Sequence, residues 1–172
     1  MANTFVQIAS ATTTAGTSTV TFSAIPQTFD DLLVCASTRL AWAGGGSADG
    51  EFISISLNTA SNDSFFRAYV LGNGPTGTNG TSSNVIYVND SNTSANTFTS
   101  WSYYIHDYIN TSYGKMTQAD ARLEGITADT LPSIVGQITS VTSAITSLIF
   151  YSTASGNFAA DSTFYLYGIK RN

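Results

Sequence analysis

The chain predicts an all-β fold, an antiparallel β-sandwich, jelly-roll-like, of about ten strands, and three observations predict it. Apolar and polar residues alternate with period two along most of the sequence, which marks a half-buried strand. Clusters of Gly, Asn and Ser punctuate those runs at turn-like intervals. Amphipathic helical periodicity is nearly absent, so sheet must pack on sheet.

Taken in order, the alternating runs fall near residues 4–9, 18–23, 30–38, 51–57, 64–70, 84–88, 97–106 and 115–123, with two strands inside 132–150 and a last run at 162–169. "TVTFSAI" puts Val20 and Phe22 on one face and Thr19, Thr21 and Ser23 on the other. "EFISISLN" sets Phe52, Ile53, Ile55 and Leu57 against Ser54 and Ser56, and "SYYIHDYI" and "TFYLYGI" are aromatic-rich versions. "KMTQADARLEG" tolerates a helix, but at period two it separates Met116, Gln118, Asp120 and Arg122 from Thr117, Ala119, Ala121 and Leu123. It is read as a strand, with room for one helical turn near "TADTLPS". No repeat, linker or composition shift divides the chain, so residues 1–172 are expected to form a single sandwich domain.

Composition narrows the function. The chain is 42% hydrophobic yet only 10% charged, with Ser, Thr, Asn and Gly filling the difference. A sandwich that hides one face of each sheet and wets the other accommodates both features. Six basic residues against eleven acidic give a net charge of -5, and the basic ones are scattered apart from Lys170–Arg171. Nucleic-acid binding needs clustered cations to displace counterions, so no nucleic-acid partner is expected. The longest apolar stretch, "ITSVTSAITSLIFY", is interrupted by hydroxyls, and the start "MANTFVQIAS" lacks the regions of a signal peptide. No membrane association is expected; the chain is expected to be soluble and made in the cytoplasm, without classical export.

Chemistry-bearing motifs are sparse. "LGNGPTGTNGTSS" carries Gly72, Gly74 and Gly77 in G-x-G-x-x-G spacing after a fair strand, "RAYVL". More turn residues and another strand come after Gly77, so no helix N-terminus is at hand for a pyrophosphate, and the segment reads as a surface loop. His106, the single histidine, adjoins Asp107, but strand neighbours face opposite ways and cannot form the orienting pair of a triad. The single cysteine, Cys35, reads as a small buried hydrophobe on a strand. "NDSN", Asn89 to Asn92, reads as a turn. Neither a catalytic residue, a metal site nor a cofactor is assigned.

The aromatic residues are more suggestive. Trp42 sits in the glycine-rich "RLAWAGGGSADG", where a ring can stack on a sugar or anchor a partner, or fold back on the sheet edge. Tyr103, Tyr104, Tyr108 and Tyr113 form a second aromatic group with the same alternatives.

"STVTFSAIPQTFDDLLVCASTR" and the closing "DSTFYLYGIKRN" together resemble a group of small structural proteins of tailed bacteriophages, notably marine and cyanobacterial ones. Those proteins often begin "MANT", carry a strand, "SIP" (here "AIP") and a "T[YF]xDL" strand, and close on "LYGIK"; "FRAYVLGNG" is similar to their middle segment. The resemblance spans Ala2 to Arg171. It implies a jelly-roll-like domain displayed on the virion, as part of an oligomer, and it assigns no functional residue. The expectation is a non-enzymatic capsid decoration or cement protein on the outer coat lattice, contacting the major capsid protein or other virion proteins. Closed rings are the usual way identical sandwiches combine, and the three-fold positions of a capsid suggest a homotrimer. Asn3 and Phe5 in the N-terminal segment, Trp42, and Tyr113 in the tyrosine group are the candidate partner contacts. The alternative is a tail or head-fibre component binding a host-surface glycan through Trp42 and the tyrosines.

Overall fold

A computed structural model describes residues 4–41, 50–59, 64–71, 74–81, 84–124, 133–152 and 156–171. In chain order its twelve strands are β1 (Phe5–Thr12), β2 (Thr19–Phe22), β3 (Asp31–Thr38), β4 (Glu51–Leu57), β5 (Ser64–Leu71), β6 (Gly74–Thr81), β7 (Asn84–Val88), β8 (Thr99–Ile105), β9 (Met116–Arg122), β10 (Ser133–Ile138), β11 (Leu148–Ser152) and β12 (Thr163–Ile169). No helix occurs among the described residues, and none of their segments is a helix long and apolar enough to cross a membrane.

The strands form two antiparallel sheets, β1-β12-β3-β8-β9-β10-β5-β6 and β2-β11-β4-β7. The order has a simple origin. Early strands pair with late ones, β1 with β12, β2 with β11, β3 with β8 and β4 with β7, as in one long antiparallel ribbon. Rolling that ribbon lays β12 against β3 and β11 against β4, which splits it into two facing four-stranded halves. This is the jelly-roll arrangement of eight strands. Two insertions enlarge one sheet: β9 and β10 come after β8, and the β5–β6 hairpin pairs with β10.

Alternation places the core between the sheets. β3 buries Leu32, Val34, Ala36 and Thr38; β8 buries Thr99, Trp101, Tyr103 and Ile105; β12 buries Phe164 and Leu166; β4 and β11 answer with Ile53, Ile55, Leu57, Leu148 and Phe150. Phe150 of the smaller sheet lies between Trp101 and Phe164 of the larger, with ring centroids 5.9 and 5.3 Å away. Phe22 and Phe158 extend this aromatic cluster. The Trp101 indole N–H, which would be costly to bury unpaired, donates to Thr38 Oγ1 at 2.8 Å.

Three readings need correction. The glycine segment is not a loop throughout: Gly74–Thr81 pairs as β6 along the whole of β5. Its backbone supplies the ladder without side-chain alternation, and as an edge strand it tolerates Pro75. Cys35 lies on a strand as read, but faces outwards and is half-buried; burial pushes its thiol pKa up. The four tyrosines do not form one patch. Tyr103 and Tyr108 are buried, whereas Tyr104 and Tyr113 are on the outside, because adjacent strand residues point to opposite faces. The helical turn considered near "TADTLPS" falls almost wholly outside the described residues.

Candidate contact surface

The larger sheet has one end at which five strand termini meet. The register sets Phe5 opposite Ile169, Ile169 opposite Asp31, and Leu32 opposite Ile105, and the His106 N–H donates to the Met116 carbonyl at 3.0 Å. The segment leading into β3 and the segment following β12 meet here. Phe29 lies on Gly168, where an added Cβ would overlap the ring. The Asp30 N–H donates to the Ile169 carbonyl at 2.8 Å, and the Arg171 N–H donates to Asp30 Oδ2 at 2.6 Å.

The Arg171 side chain closes this end. Its guanidinium donates to Asp31, with Nε 3.2 Å from Oδ2 and Nη2 3.2 Å from Oδ1, and to Asp107 Oδ1. The Asp31 side chain is 2% exposed, and a buried polar group needs hydrogen-bond partners. Tyr104 Oη donates to it at 2.7 Å and the Asp107 N–H at 2.9 Å. Burial, followed by the bond to Asp31, pushes the Tyr104 pKa up to about 12. Asp107 sits at φ 43, a left-handed turn that Asp tolerates better than most residues. Its carboxylate accepts from Arg171 and, at 3.0 Å, from Tyr113 Oη, and these bonds hold its pKa below the ordinary value. The same bond to Asp107 raises the Tyr113 pKa.

The segment after β8 is fixed from within. The Asn110 N–H donates to the Asp107 carbonyl at 2.9 Å and the Ser112 N–H to Asn110 Oδ1 at 2.7 Å. Lys115 is fully buried, and its ammonium donates to the carbonyls of Asn110 and of Thr142 (3.2 Å). Burial lowers its pKa. Tyr108 anchors the segment from the core side by donating to the Pro26 carbonyl.

This framework displays apolar side chains. Among the described residues six large hydrophobic side chains are exposed, and five belong to this end: Phe5 (57%) and Val6 on β1, Ile109 and Tyr113 (51%) in the turn, and Met116 (55%) opening β9. β1 is also a sheet edge, and "FVQIASAT" has no charge or proline to deter a partner strand, only a bulge between Gln7 and Ala9.

Of the candidate contacts, the structure therefore brings Phe5 and Tyr113 to one end of one sheet, while Asn3 and Trp42 lie outside the described residues. Ile109, Met116 and the Asp31–Asp107–Arg171 cluster were not singled out from sequence. His106 is not on a strand beside Asp107: β8 has ended, the His106 ring packs at a tilt against Tyr104 with centroids 4.5 Å apart, and Asp107 turns to Arg171 and Tyr113. "NDSN" is a turn as read, with Asp90 Oδ1 accepting from the Asn92 N–H at 2.8 Å. Compared with known proteins, the chain matches no family model, no curated protein and no solved structure.

Proposed function

We propose that the chain is a non-enzymatic virion structural protein, a capsid decoration protein that binds the outer surface of a coat lattice and stabilises it. The observation that carries the reading is the apolar rim at one end of the larger sheet, with Phe5, Ile109, Tyr113 and Met116 exposed on a backbone held by Arg171 and Lys115. Isolated exposed apolar residues are ordinary, whereas a group of them on a fixed scaffold suits a partner surface. The fixed backbone matters because a segment already held in place loses less freedom on binding. The phage resemblance points to the major capsid protein as that partner, and the three-fold positions of a coat lattice suit a trimer of this chain. A protein of this kind works by buried area alone, with about 800 Å² per partner as a standard interface.

The test is co-sedimentation of the purified chain with coat shells that lack it. Saturable binding is expected, and Phe5→Ser combined with Tyr113→Ser should weaken it by at least about tenfold, as loss of central aromatic contacts does. Undiminished binding by that variant would remove the rim from the interface, and no binding by the wild type would remove the coat as partner. The reading as a tail or head-fibre component is the alternative, and it is separated by copy number.

A further inference from the structure

The opposite end of the same sheet carries a different surface on its outer face. Pairing register sets Tyr165, Cys35, Ser102 and Asp120 in one row across β12, β3, β8 and β9, and Thr163, Ser37, Ser100 and Arg122 in the next. At about 4.8 Å per strand, Tyr165 and Asp120 stand about 14 Å apart with only small side chains between them. The result is an open trough of about 440 Å³. Its volume falls in the range of about 300–1,000 Å³ usual for small-molecule sites. One wall is the Tyr165 ring, 38% exposed; the other is Asp120 and Arg122, paired at 2.6 Å and both open to solvent. The row Tyr167, Leu33, Tyr104 and Gln118 comes next on the side towards the Arg171 cluster.

We propose that this trough binds a short segment of a neutral glycan, with a pyranose ring stacked against Tyr165. A pyranose has an apolar C–H face and a rim of hydroxyls, and the trough presents the complement of each. The Tyr165 ring offers a flat apolar surface. The Asp120 carboxylate accepts from sugar hydroxyls and the Arg122 guanidinium donates to them, while Ser37, Ser100 and Ser102 do either. Asp120 and Arg122 neutralise each other, which favours an uncharged ligand over an anionic or cationic one. A protein loop fits less well, because the trough is open and shallow and offers no deep pocket for an anchoring side chain. The proposal does not depend on coat binding, since the trough lies at the other end of the sheet from the apolar rim.

The experiment is an NMR titration of the full-length, isotope-labelled chain with maltotriose, cellotriose, mannotriose and chitotriose. At least one of these should shift the amides of Ser37, Ser100, Ser102 and Tyr165 saturably at millimolar concentration. Tyr165→Ala should weaken that binding by at least about tenfold, or 1.4 kcal/mol. Ser102→Phe, which fills the floor from the solvent side without touching the core, should abolish it, and Tyr113→Ala should leave it unchanged. The proposal is overturned if none of the saccharides shifts these amides, if the shifts map elsewhere, or if Tyr165→Ala and Ser102→Phe bind as the wild type does. Coat co-sedimentation of Tyr165→Ala should equal that of the wild type, so failure of the glycan site and failure of the coat interface read out separately.

Discussion

The same strands make both faces of the larger sheet, yet the two faces obey different rules. Inwards, β3, β8, β9 and β12 present Leu32, Val34, Trp101, Tyr103, Ala119, Ala121, Phe164 and Leu166, all buried in one continuous core with the smaller sheet. Outwards, the same strands present Cys35, Ser37, Ser100, Ser102, Tyr104, Asp120, Tyr165 and Tyr167, half-buried or exposed. The inner face is constrained by volume, since every side chain there must fill space left by its neighbours. The outer face has no such constraint, so its arrangement of an ion cluster, a bulky row and a trough of small residues is free to serve recognition. The comparison teaches where to look for function in this chain: on the face that packing leaves open.

Breaking the inner face should have the largest effect. Phe150 bridges the two sheets between Trp101 and Phe164, and Phe150→Ala should destabilise the fold by about 3–5 kcal/mol, measured by denaturant unfolding. A loss below about 1 kcal/mol would mean that the aromatic cluster does not join the sheets.

The Arg171 cluster, at the boundary between the faces, should show itself through pH. Asp107 has a lowered folded pKa, so its contribution is complete above the ordinary carboxylate value of about 4 and is lost as pH falls through the folded value. Tyr104 is raised to about 12, so its contribution is complete below the ordinary tyrosine value and is lost as pH rises through about 12. Lys115 acts in the opposite sense: with its folded pKa lowered, stability gains with pH from that value up to the ordinary lysine value. Arg171→Gln should therefore flatten the acid limb of a thermal-melting profile, and Tyr104→Phe the alkaline one. An acid limb unchanged in Arg171→Gln would show that the cluster contributes nothing to stability.

The outer face should be the most tolerant. Ser100→Ala and Tyr165→Ala are each expected to change stability by no more than about 0.5 kcal/mol, the usual range for surface positions. A larger loss at Tyr165 would make that ring part of the packing instead of a free wall.

Sequence and structure agree where alternation is strong. The runs at 18–23, 30–38, 97–106 and 162–169 became β2, β3, β8 and β12, and period two also placed Met116–Arg122 in a strand with the predicted faces. Alternation failed at β6, whose threonines, glycines and asparagine carry no apolar signal although its backbone pairs along the whole of β5. It also could not reveal the Arg171 cluster. Arg171 meets Asp31 across 140 residues of sequence, and only the jelly-roll pairing of first, third and last strands brings them together. The trough was hidden for the same reason: each of its serines is unremarkable on its own strand, and register alone places them side by side.

The central claim is lattice decoration, and the most direct test is the number of copies of this chain per major coat subunit in purified particles, by quantitative mass spectrometry. The account predicts a copy number comparable with that of the coat subunit. A few copies per particle would move the chain to a vertex, tail or fibre and make glycan recognition its primary role, and absence from particles would contradict the virion reading altogether.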